Sequence, residues 1–256
     1  MTPLANGRIV LWQGGSLWIF HVPAPPGATQ MTDFHTHHAI QVTLALDGVF
    51  QLHVMDRSVP GPAVVVAPDV RHAFQPKGLI ALLFIEPESP AGRVLGGALL
   101  DGTAVATAPA ELLGDFPARL AAAFTDPDRD DEALREIGRS MIRRLAGAAE
   151  PPAPDVRVRT SIAWASERLD RRISVSEAAN QVGLSVDRMS HLFVEQTGLP
   201  FRTYLLWLRL SKAVEAYAAG ASLTQAAHEA GFADSAHFSR TFRRMFGVAA
   251  AELRLS

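Results

Sequence analysis

Cysteine is absent from this sequence of 256 residues, which excludes disulfide bonds and thiolate metal sites. Only 7% of the residues are aromatic and 20% are charged, while 48% are hydrophobic, as in ordinary globular domains. No stretch approaches the roughly 20 apolar residues that span a bilayer. The first residues, MTPLANGRIVLWQGG, lack the basic and apolar regions of a signal peptide. We therefore expect a cytoplasmic protein with no membrane contact and one large or two small domains.

An excess of either charge is also absent, because 24 Lys and Arg residues face 26 Asp and Glu residues. The balance nevertheless changes along the chain. Residues 155–256 hold 13 basic and 10 acidic residues, whereas residues 1–154 hold 11 and 16. A mildly basic C-terminal part suits a nucleic-acid surface, but chance scatter explains so small an excess equally well. Charge alone leaves both interpretations open.

The first 90 residues favour β-structure. Six short apolar or alternating runs are separated by Gly, Pro and Asp: RIVLWQ, SLWIFHV, IQVTLAL, VFQLHVM, AVVVAP and IALLFIEP. Asp47-Gly48 lies between the third and fourth runs and predicts a tight hairpin there. Short strands at this spacing predict a sandwich or a barrel.

From about Pro109 the pattern becomes helical. The segment DDEALREIGRSMIRRLAG places five apolar residues on one helix face, namely Leu134, Ile137, Met141, Ile142 and Leu145. Acidic residues at its start and Arg143 and Arg144 near its end suit the helix dipole. The Pro-rich stretch from Gly147 to Asp155 then predicts a domain boundary.

The C-terminal part contains an internal repeat. SVSEAANQVG, residues 174–183, matches SLTQAAHEAG, residues 222–231. Each copy begins with a capping box, continues with an Ala-Ala pair and ends on Gly. One residue is added after the Gly of the second copy, which aligns Ser185 with Asp234, both good N-caps. Each copy therefore predicts a helix-turn-helix unit.

The second helix of each unit is predicted to have an apolar and a polar face. Phe193 and Phe242 lie at equivalent positions on the apolar faces, which should be core. The polar faces hold small hydrogen-bonding residues and Arg, which suit base edges in a major groove. A solvated helix face is the alternative, and the match between two units favours DNA reading. A helix from Phe201 to Ala219 of about 28 Å joins the units, and successive major grooves lie about 34 Å apart.

The segment from about Ile173 to Leu253 resembles the DNA-binding domain of AraC/XylS-type transcriptional regulators. The matching motifs are AANQVGLSVDRMSHLFVEQTGLPFRTYLLWLRLSKA and AAHEAGFADSAHFSRTFRRMFGV. The resemblance implies base contacts by Asp187, Ser190, His191, Ser235, Ala236, Ser239 and Arg240, and the same polar faces also carry Arg188 and His237. The candidate phosphate contacts are Arg202, Arg209, Lys212, Arg243, Arg244 and Arg254. One departure is that Val-Ala-Ala-Ala follows Gly247 where the family has Gly-x-x-Pro, which would loosen the entry to a last helix over 249–255.

The resemblance also implies that the N-terminal part is a sensor. FHTHHAIQVTLALDGVFQLHV, followed by AVVVAPDVRHAF, resembles the small cupin-type β-barrel that many of these regulators carry. A barrel of this size holds one small ligand in its mouth. The candidate effector-pocket residues are Trp18, His35, His37, Gln41, His53 and His72.

A metal site is the alternative use of these histidines. Metal-binding cupins have His-x-His, a Glu three or four residues later and a further His. Here Gln41 follows His35-Thr-His37, and His72 would be the later ligand. The neutral Gln lacks the charge that offsets the desolvation of a cation. We therefore expect no metal and no other cofactor, and we assign these residues to the effector pocket or to the polar part of the barrel.

These patterns together predict an α+β protein. We expect a cupin-like sensing and dimerisation barrel over residues 1–108, a helical connector with a Pro-rich linker over 109–154, and an all-α domain over 155–256. That last domain holds two helix-turn-helix units joined by a long helix. The expected function is a sequence-specific DNA-binding transcriptional regulator, not an enzyme, that is controlled by a small-molecule effector. The expected partners are double-stranded DNA, the effector, RNA polymerase and a second copy in a homodimer.

Two other functions stay open at this point. One is a metal-dependent cupin enzyme with a helical interaction tail. The other is an architectural DNA-binding protein that has no ligand. Salt-dependent DNA binding separates the regulator from the enzyme, and sequence specificity separates it from the architectural protein.

Overall fold

A computed structural model describes residues 4–23, 30–55, 57–147 and 154–255. The chain divides into two compact units, one formed by Met1–Pro151 with Phe242–Ser256 and the other by Pro152–Thr241. The sequence grouped residues 242–256 with the C-terminal domain, whereas their contacts belong to the first unit. Residues 148–153 of the expected linker lie outside the described residues.

One eight-stranded sheet forms the centre of the first unit. Its strands are β1 (Ala5–Trp12), β2 (Gly15–Val22), β3 (Ile40–Val54), β4 (Arg57–Pro60), β5 (Ala63–Val66), β6 (His72–Ile85), β7 (Val105–Thr107) and β8 (Leu253–Leu255). The order across the sheet is β7-β5-β3-β6-β2-β1-β8, and β4 pairs with β3. All pairs are antiparallel except β1 with β8. Among the described residues these pairings form an open path, so the expected barrel is a sheet that does not close.

The predicted hairpin at Asp47-Gly48 is wrong. The third and fourth apolar runs are both parts of β3, which pairs with β6 on either side of a bulge between Ala45 and Asp47. Gly48 lies directly opposite Gly78, and a Cβ atom on Gly48 would come within 2.3 Å of the carbonyl oxygen of Lys77. The glycine therefore permits two strands to approach closely instead of forming a turn.

In the described part of the first unit, four helices and a π-helical turn follow β6, with β7 between the π-helical turn and α2. They are α1 (Pro90–Leu95), the π-helical turn Gly96–Leu100, α2 (Ala110–Leu113), α3 (Phe116–Thr125) and α4 (Asp131–Ala146). All five apolar residues predicted on one face of α4 are buried in a cluster with sheet residues such as Leu17 and Val42. Asp130 caps α4 by accepting hydrogen bonds from the amides of Glu132 and Ala133 at 2.8 and 3.2 Å. The predicted amphipathic helix is confirmed.

The second unit is helical. Its helices are α5 (Val156–Ser166), α6 (Val175–Gln181), α7 (Val186–Thr197), α8 (Phe201–Ala218) and α9 (Leu223–Glu229), followed by α10 (Ser235–Phe246), in which the division between the units falls. Both predicted capping boxes form, at Ser174 with Glu177 and at Ser222 with Gln225. No helix in the described part of the chain is long and apolar enough to cross a membrane.

The predicted last helix over 249–255 is wrong. A single 3-10 turn at Ala250–Glu252 leads into β8, which pairs in parallel with β1. The amide of Leu4 also donates a hydrogen bond to the carbonyl oxygen of Glu252 at 2.8 Å. Leu253 is buried while Arg254 is exposed, which is the alternation of a strand. Three residues are too few for that alternation to be recognised in the sequence.

The two turn glycines of the repeat provide a matched test of stability. Gly183 and Gly231 both have positive φ angles, of 67° and 77°. A Cβ atom on Gly183 would meet nothing within 4 Å, whereas on Gly231 it would lie 1.9 Å from the carbonyl oxygen of Leu169. Gly183→Ala should therefore cost only the left-handed penalty of about 1–2 kcal/mol. Gly231→Ala adds a backbone clash and should lower the free energy of unfolding by about 3 kcal/mol or more.

Urea unfolding followed by circular dichroism measures both variants, with Gly183→Ala as the control for backbone conformation. Equal losses in the two variants would contradict the tight packing of the second turn.

Candidate nucleic-acid interface and sheet cavity

The first candidate reading helix, α7, has Ser185 as its N-cap, and the Ser185 side chain accepts a hydrogen bond from the amide of Arg188. Met189, Leu192 and Phe193 are buried on one side of the helix. Of the predicted base-contact residues in this unit, three are exposed and Ser190 is half-buried; the exposed ones are Asp187, Arg188 and His191. Because one face of α7 is buried in the core, the opposite, polar face is accessible to solvent or to a partner.

Two side chains of that face hydrogen-bond to their own helix. The Ser190 hydroxyl donates to the carbonyl oxygen of Val186 at 2.8 Å. Nδ1 of His191 lies 2.9 Å from the carbonyl oxygen of Asp187 and therefore donates to it. Nε2 of His191 then remains on the outer edge of the ring as an acceptor. The face offers a carboxylate, a guanidinium and an imidazole, which are side chains that can recognise base edges.

The second candidate reading helix, α10, repeats this arrangement. Asp234 is its N-cap, as predicted, and accepts a hydrogen bond from the amide of His237 at 2.6 Å. Phe238, Thr241 and Phe242 are buried. The polar face consists of Ser235, Ala236, His237, Ser239 and Arg240, of which Ala236 and Arg240 are exposed and the others half-buried. The His237 ring packs edge-on against Phe232, with centroids 5.1 Å apart, so it is held in place more firmly than the exposed residues.

The candidate phosphate contacts divide into three groups. Arg202, Lys212, Arg244 and Arg254 are exposed. Arg209 is half-buried, and its guanidinium donates to the carbonyl oxygens of Leu169 and Arg171 at 3.0 and 2.8 Å. Arg209 is therefore a poor candidate for phosphate binding, because its guanidinium fixes the loop that follows α5 to α8. Arg243 is exposed but donates to the carboxylate of Asp33 at 2.8 Å.

The long connecting helix is confirmed. It is α8, which spans 18 residues and has Phe201, Tyr204, Leu205, Leu210 and Val214 among its buried residues. An α-helix of this length extends about 27 Å. Phe193 of α7 packs edge-on against Phe201 and Tyr204, with centroids 5.1 and 5.3 Å away, so the first reading helix is anchored directly on α8.

An apolar cavity lies within the first unit. Of the predicted effector-pocket residues, Trp18, His35 and Gln41 line it, whereas His37, His53 and His72 do not. Much of the remaining lining is aromatic or aliphatic, including Phe20, Phe74, Phe84 and Leu82. Phe246, Val248 and Leu253 complete one side, and sequence patterns had assigned those three only to the helical domain.

His53 lies apart from the other candidate histidines. It is hydrogen-bonded to the side chains of Gln75 at 3.0 Å and Ser58 at 2.8 Å. Gln75 and Ser58 lie on the strands that pair with β3 on either side of His53. These two hydrogen bonds satisfy both ring nitrogens of His53 without a ligand. The structure therefore does not place His53 in the cavity predicted for the effector.

Three other histidines form a buried cluster beside the cavity. The backbones of His35 and His72 bridge through two hydrogen bonds of 2.8 and 3.0 Å. Their rings lie 4.3 Å apart, and the ring of His37 lies 5.0 Å from that of His72. Burial and then the charge of His72 lower the pKa of His35 to about 3, and burial lowers the pKa values of His37 and His72. All three imidazoles are therefore neutral near pH 7.

His38, next to this cluster in sequence, has the opposite character. Its Nε2 lies 3.0 Å from the carboxylate of Glu88, and its Nδ1 lies 3.9 Å from that of Asp69. Burial opposes the charged form, but the two carboxylates of Asp69 and Glu88 favour it more strongly and raise the pKa of His38 to about 9. Sequence reasoning gave His38 no role, because its partner Glu88 is fifty residues away.

Parts of this chain are similar to known proteins. Residues 178–256 match a helix-turn-helix domain family. The transcriptional activator RhaS of Klebsiella pneumoniae is 33% identical over 115 residues, 44% of this chain and 41% of that protein. RhaS of Escherichia fergusonii is 37% identical over 101 residues, 39% of this chain and 36% of that protein. The matches thus span less than half of the length of these relatives. The C-terminal part of this chain is therefore similar to a helix-turn-helix domain and to part of the RhaS activators.

The fold of the remaining chain also has a counterpart. ToxT from Vibrio cholerae O395 aligns over 94% of this chain and 97% of its own, with a TM-score of 0.60 and 14% identity. ToxT from strain SCE256 with a bound unsaturated fatty acid covers 93% and 94%, with a TM-score of 0.59 and 11% identity. At such identities the likeness shows the fold alone: an N-terminal sheet followed by a set of helices.

The ion pair of His38 gives a pH-dependent stability. The pKa of His38 is about 9 in the folded state, above the ordinary 6.5, so protonated His38 stabilises the fold. This contribution to the free energy of unfolding is fully present below about pH 6.5 and is lost as the pH rises through about 9. The loss should be roughly 3 kcal/mol, from the shift of the pKa. Glu88→Gln removes one carboxylate and should flatten the decline between pH 6.5 and 9 in urea unfolding. A decline of equal size in both proteins would contradict this assignment.

Proposed function

We propose that this chain is a sequence-specific DNA-binding transcriptional regulator whose sheet domain receives a small-molecule effector. The observation that carries the proposal is the repeated unit: two reading helices, each capped, each with a buried aromatic face and an accessible polar face. That repeat lies in the region that matches the helix-turn-helix family and the RhaS activators. We place the protein in the cytoplasm, where a bacterial-type regulator meets its DNA.

The polar faces of α7 and α10 are assigned to base reading. Asp187, Arg188, Ser190 and His191 form the first reading surface, and Ser235, Ala236, His237, Ser239 and Arg240 form the second. Arg240 is the strongest specificity candidate, because an exposed guanidinium can bond both acceptors of a guanine. Arg202 and Arg244 are assigned to phosphates. Arg243 would have to release Asp33 first, which costs little because exposed ion pairs contribute about 0–1 kcal/mol.

The cavity is assigned to the effector. Its lining is chiefly apolar, with Gln30, Thr32, His35 and Gln41 as the polar exceptions, so it suits an apolar molecule with a small polar group. An unsaturated fatty acid has that form, and ToxT has been seen with one bound. Residues 1–108 as the sensing part, 109–154 as connector and 155–256 as the DNA-binding part remain our domain assignment, with a homodimer and contact with RNA polymerase as further proposals.

The regulator is favoured over the two alternatives. A cupin enzyme would not require two reading helices with matched caps, and the RhaS relatives are transcriptional activators. An architectural DNA-binding protein would not require a cavity lined from two distant parts of the chain. We therefore also propose that the protein has no enzymatic activity.

Replacing Arg240 tests the reading surface. Arg240→Ala should weaken binding to the selected site by about 1–3 kcal/mol and relax the preference at one base pair. Arg244→Ala should weaken binding to all sequences alike and lower the salt slope by about one. The experiment selects a site from a random duplex pool and then measures affinity by fluorescence anisotropy at several salt concentrations. Arg139→Ala, on the surface of α4, is the control.

A wild-type protein that binds random DNA as tightly as the selected site would contradict the proposal. A uniform loss with Arg240→Ala would reassign that residue to a phosphate.

Filling the cavity tests the effector site. Leu82 lines the cavity and is half-buried, so Leu82→Trp should lower the affinity for a monounsaturated long-chain fatty acid at least about tenfold, because the indole takes the space of the ligand. Saturating ligand at a hundred times its Kd should stabilise the wild type by about 2.7 kcal/mol in thermal unfolding. Val49→Trp, at an exposed position of β3, is the control. Unchanged binding by Leu82→Trp would place the ligand elsewhere.

A further inference from the structure

The buried histidine cluster has a geometry that neither DNA reading nor an apolar effector requires. One ring nitrogen from each of His35, His37 and His72 lies within 4.8 Å of the other two. All three residues are buried, and His72 is fully so. Three imidazoles in such a place must find partners within the fold, because water cannot solvate them.

The second nitrogen of each ring is already engaged. Nδ1 lies 2.8 Å from the carbonyl oxygen of Asp33 in His35, 3.0 Å from that of Ala39 in His37 and 2.8 Å from that of Val70 in His72. A carbonyl oxygen only accepts hydrogen bonds, so each Nδ1 must carry the proton. The lone pair of each neutral imidazole is then on Nε2. A backbone carbonyl that fixes the tautomer in this way is the usual support of a metal-binding histidine.

Two of these Nε2 atoms, in His72 and His37, face no hydrogen-bond donor among the described residues. Nε2 of His72 is buried and has no hydrogen-bond partner among the described residues. Nε2 of His37 lies 2.9 Å from Oε1 of Gln41, so two acceptors face each other, while Nε2 of Gln41 donates to the hydroxyl of Thr43. Rotating the Gln41 amide by half a turn would give His37 a donor. That rotation leaves Nε2 of His72 unchanged, whereas a cation would satisfy every one of these acceptors.

We propose that His35, His37 and His72, together with the side-chain oxygen of Gln41, bind a divalent first-row transition-metal ion. Imidazole nitrogens suit Zn²⁺, Cu²⁺, Fe²⁺ and Ni²⁺, and three histidines are a known zinc donor set. The neutral Gln41 led the sequence analysis to expect no metal, because a carboxylate offsets more of the cation's charge. The convergence of three unprotonated nitrogens outweighs that argument. The proposal goes beyond the regulator function and does not depend on it.

Metal binding by the full-length chain tests this directly, without DNA. Zn²⁺ affinity is measured by competition with a chromophoric chelator, and Co²⁺ is titrated while its visible absorption reports coordination by nitrogen. We expect one ion per chain. His72→Ala should lower the affinity by more than the ~10–100-fold that loss of a supporting residue costs. His53→Ala, which removes a partly buried histidine outside the cluster, should leave it unchanged.

Gln41→Glu is the second variant and keeps the cluster filled. It should raise the affinity for Zn²⁺ about tenfold or more, because the carboxylate supplies the charge that the glutamine lacks. Circular dichroism and thermal unfolding show whether His72→Ala folds. If it does not fold, Gln41→Glu still tests whether the cluster binds the metal ion.

Three results would overturn the site. They are a wild-type chain that binds neither Zn²⁺ nor Co²⁺ stoichiometrically, a folded His72→Ala variant that binds as the wild type does, and a folded Gln41→Glu variant with unchanged affinity. Loss of DNA binding or of fatty-acid binding would leave all three measurements unaffected, so the proposed function and the metal site fail separately.

Discussion

Burial of one aromatic face on each reading helix is the constraint on which the interface depends. Phe193 in α7 and Phe242 in α10 have no exposed surface. Once such a ring is fixed in a core, the rotation of the helix about its own axis is fixed as well. Because 3.6 residues make one turn, the side chain two positions earlier must point away from that core, and the one three positions earlier lies at the edge of the buried face. His191 and Arg240 are exposed to a partner in this way, while Ser190 and Ser239 are half-buried.

The parts of this arrangement that sequence reasoning could predict obey local rules. The capping boxes at Ser174 and Ser222, the turn glycines and the aromatic anchors all follow from residues within about four positions of each other, and the structure contains all of them. The same holds for the buried stripe of α4. Local rules failed at Asp47-Gly48 because the dipeptide that permits a tight turn also permits two strands to approach closely. Only the partner, Gly78, decides between these uses, and it is thirty residues away.

The histidines of the sheet also show that local sequence rules do not predict contacts between residues that are distant in the chain. Spacing alone indicated His35, His37, Gln41 and His72 as a group, but it could not separate them from His53, which lies on the same strand as Gln41. The pairing of β3 with β6 places His53 beside Ala73 and near Gln75, whereas an isolated bridge joins His72 to His35. Register therefore decides which histidines converge, and a register is a property of two strands together. His38 was missed for the same reason, since only the fold reveals Glu88 as its partner.

Sequence patterns assign the end of α10 to the helical domain alone, whereas the structure places Phe246 in the wall of the cavity of the first unit. The helix that carries Arg240 also carries Phe246, which lines the cavity six residues later, about 9 Å along the axis. Directly after it, the carbonyl oxygen of Gly247 accepts a hydrogen bond from the amide of Asp33 at 2.8 Å, and a Cβ atom on Gly247 would lie 2.5 Å from Nδ1 of His35. A molecule that fills the cavity must therefore either fit against this helix end or displace it. A ligand shifts an equilibrium only by its difference in affinity for the two states. Phe246 is where such a difference would arise, because among the described residues of α10 it is the one that lines the cavity.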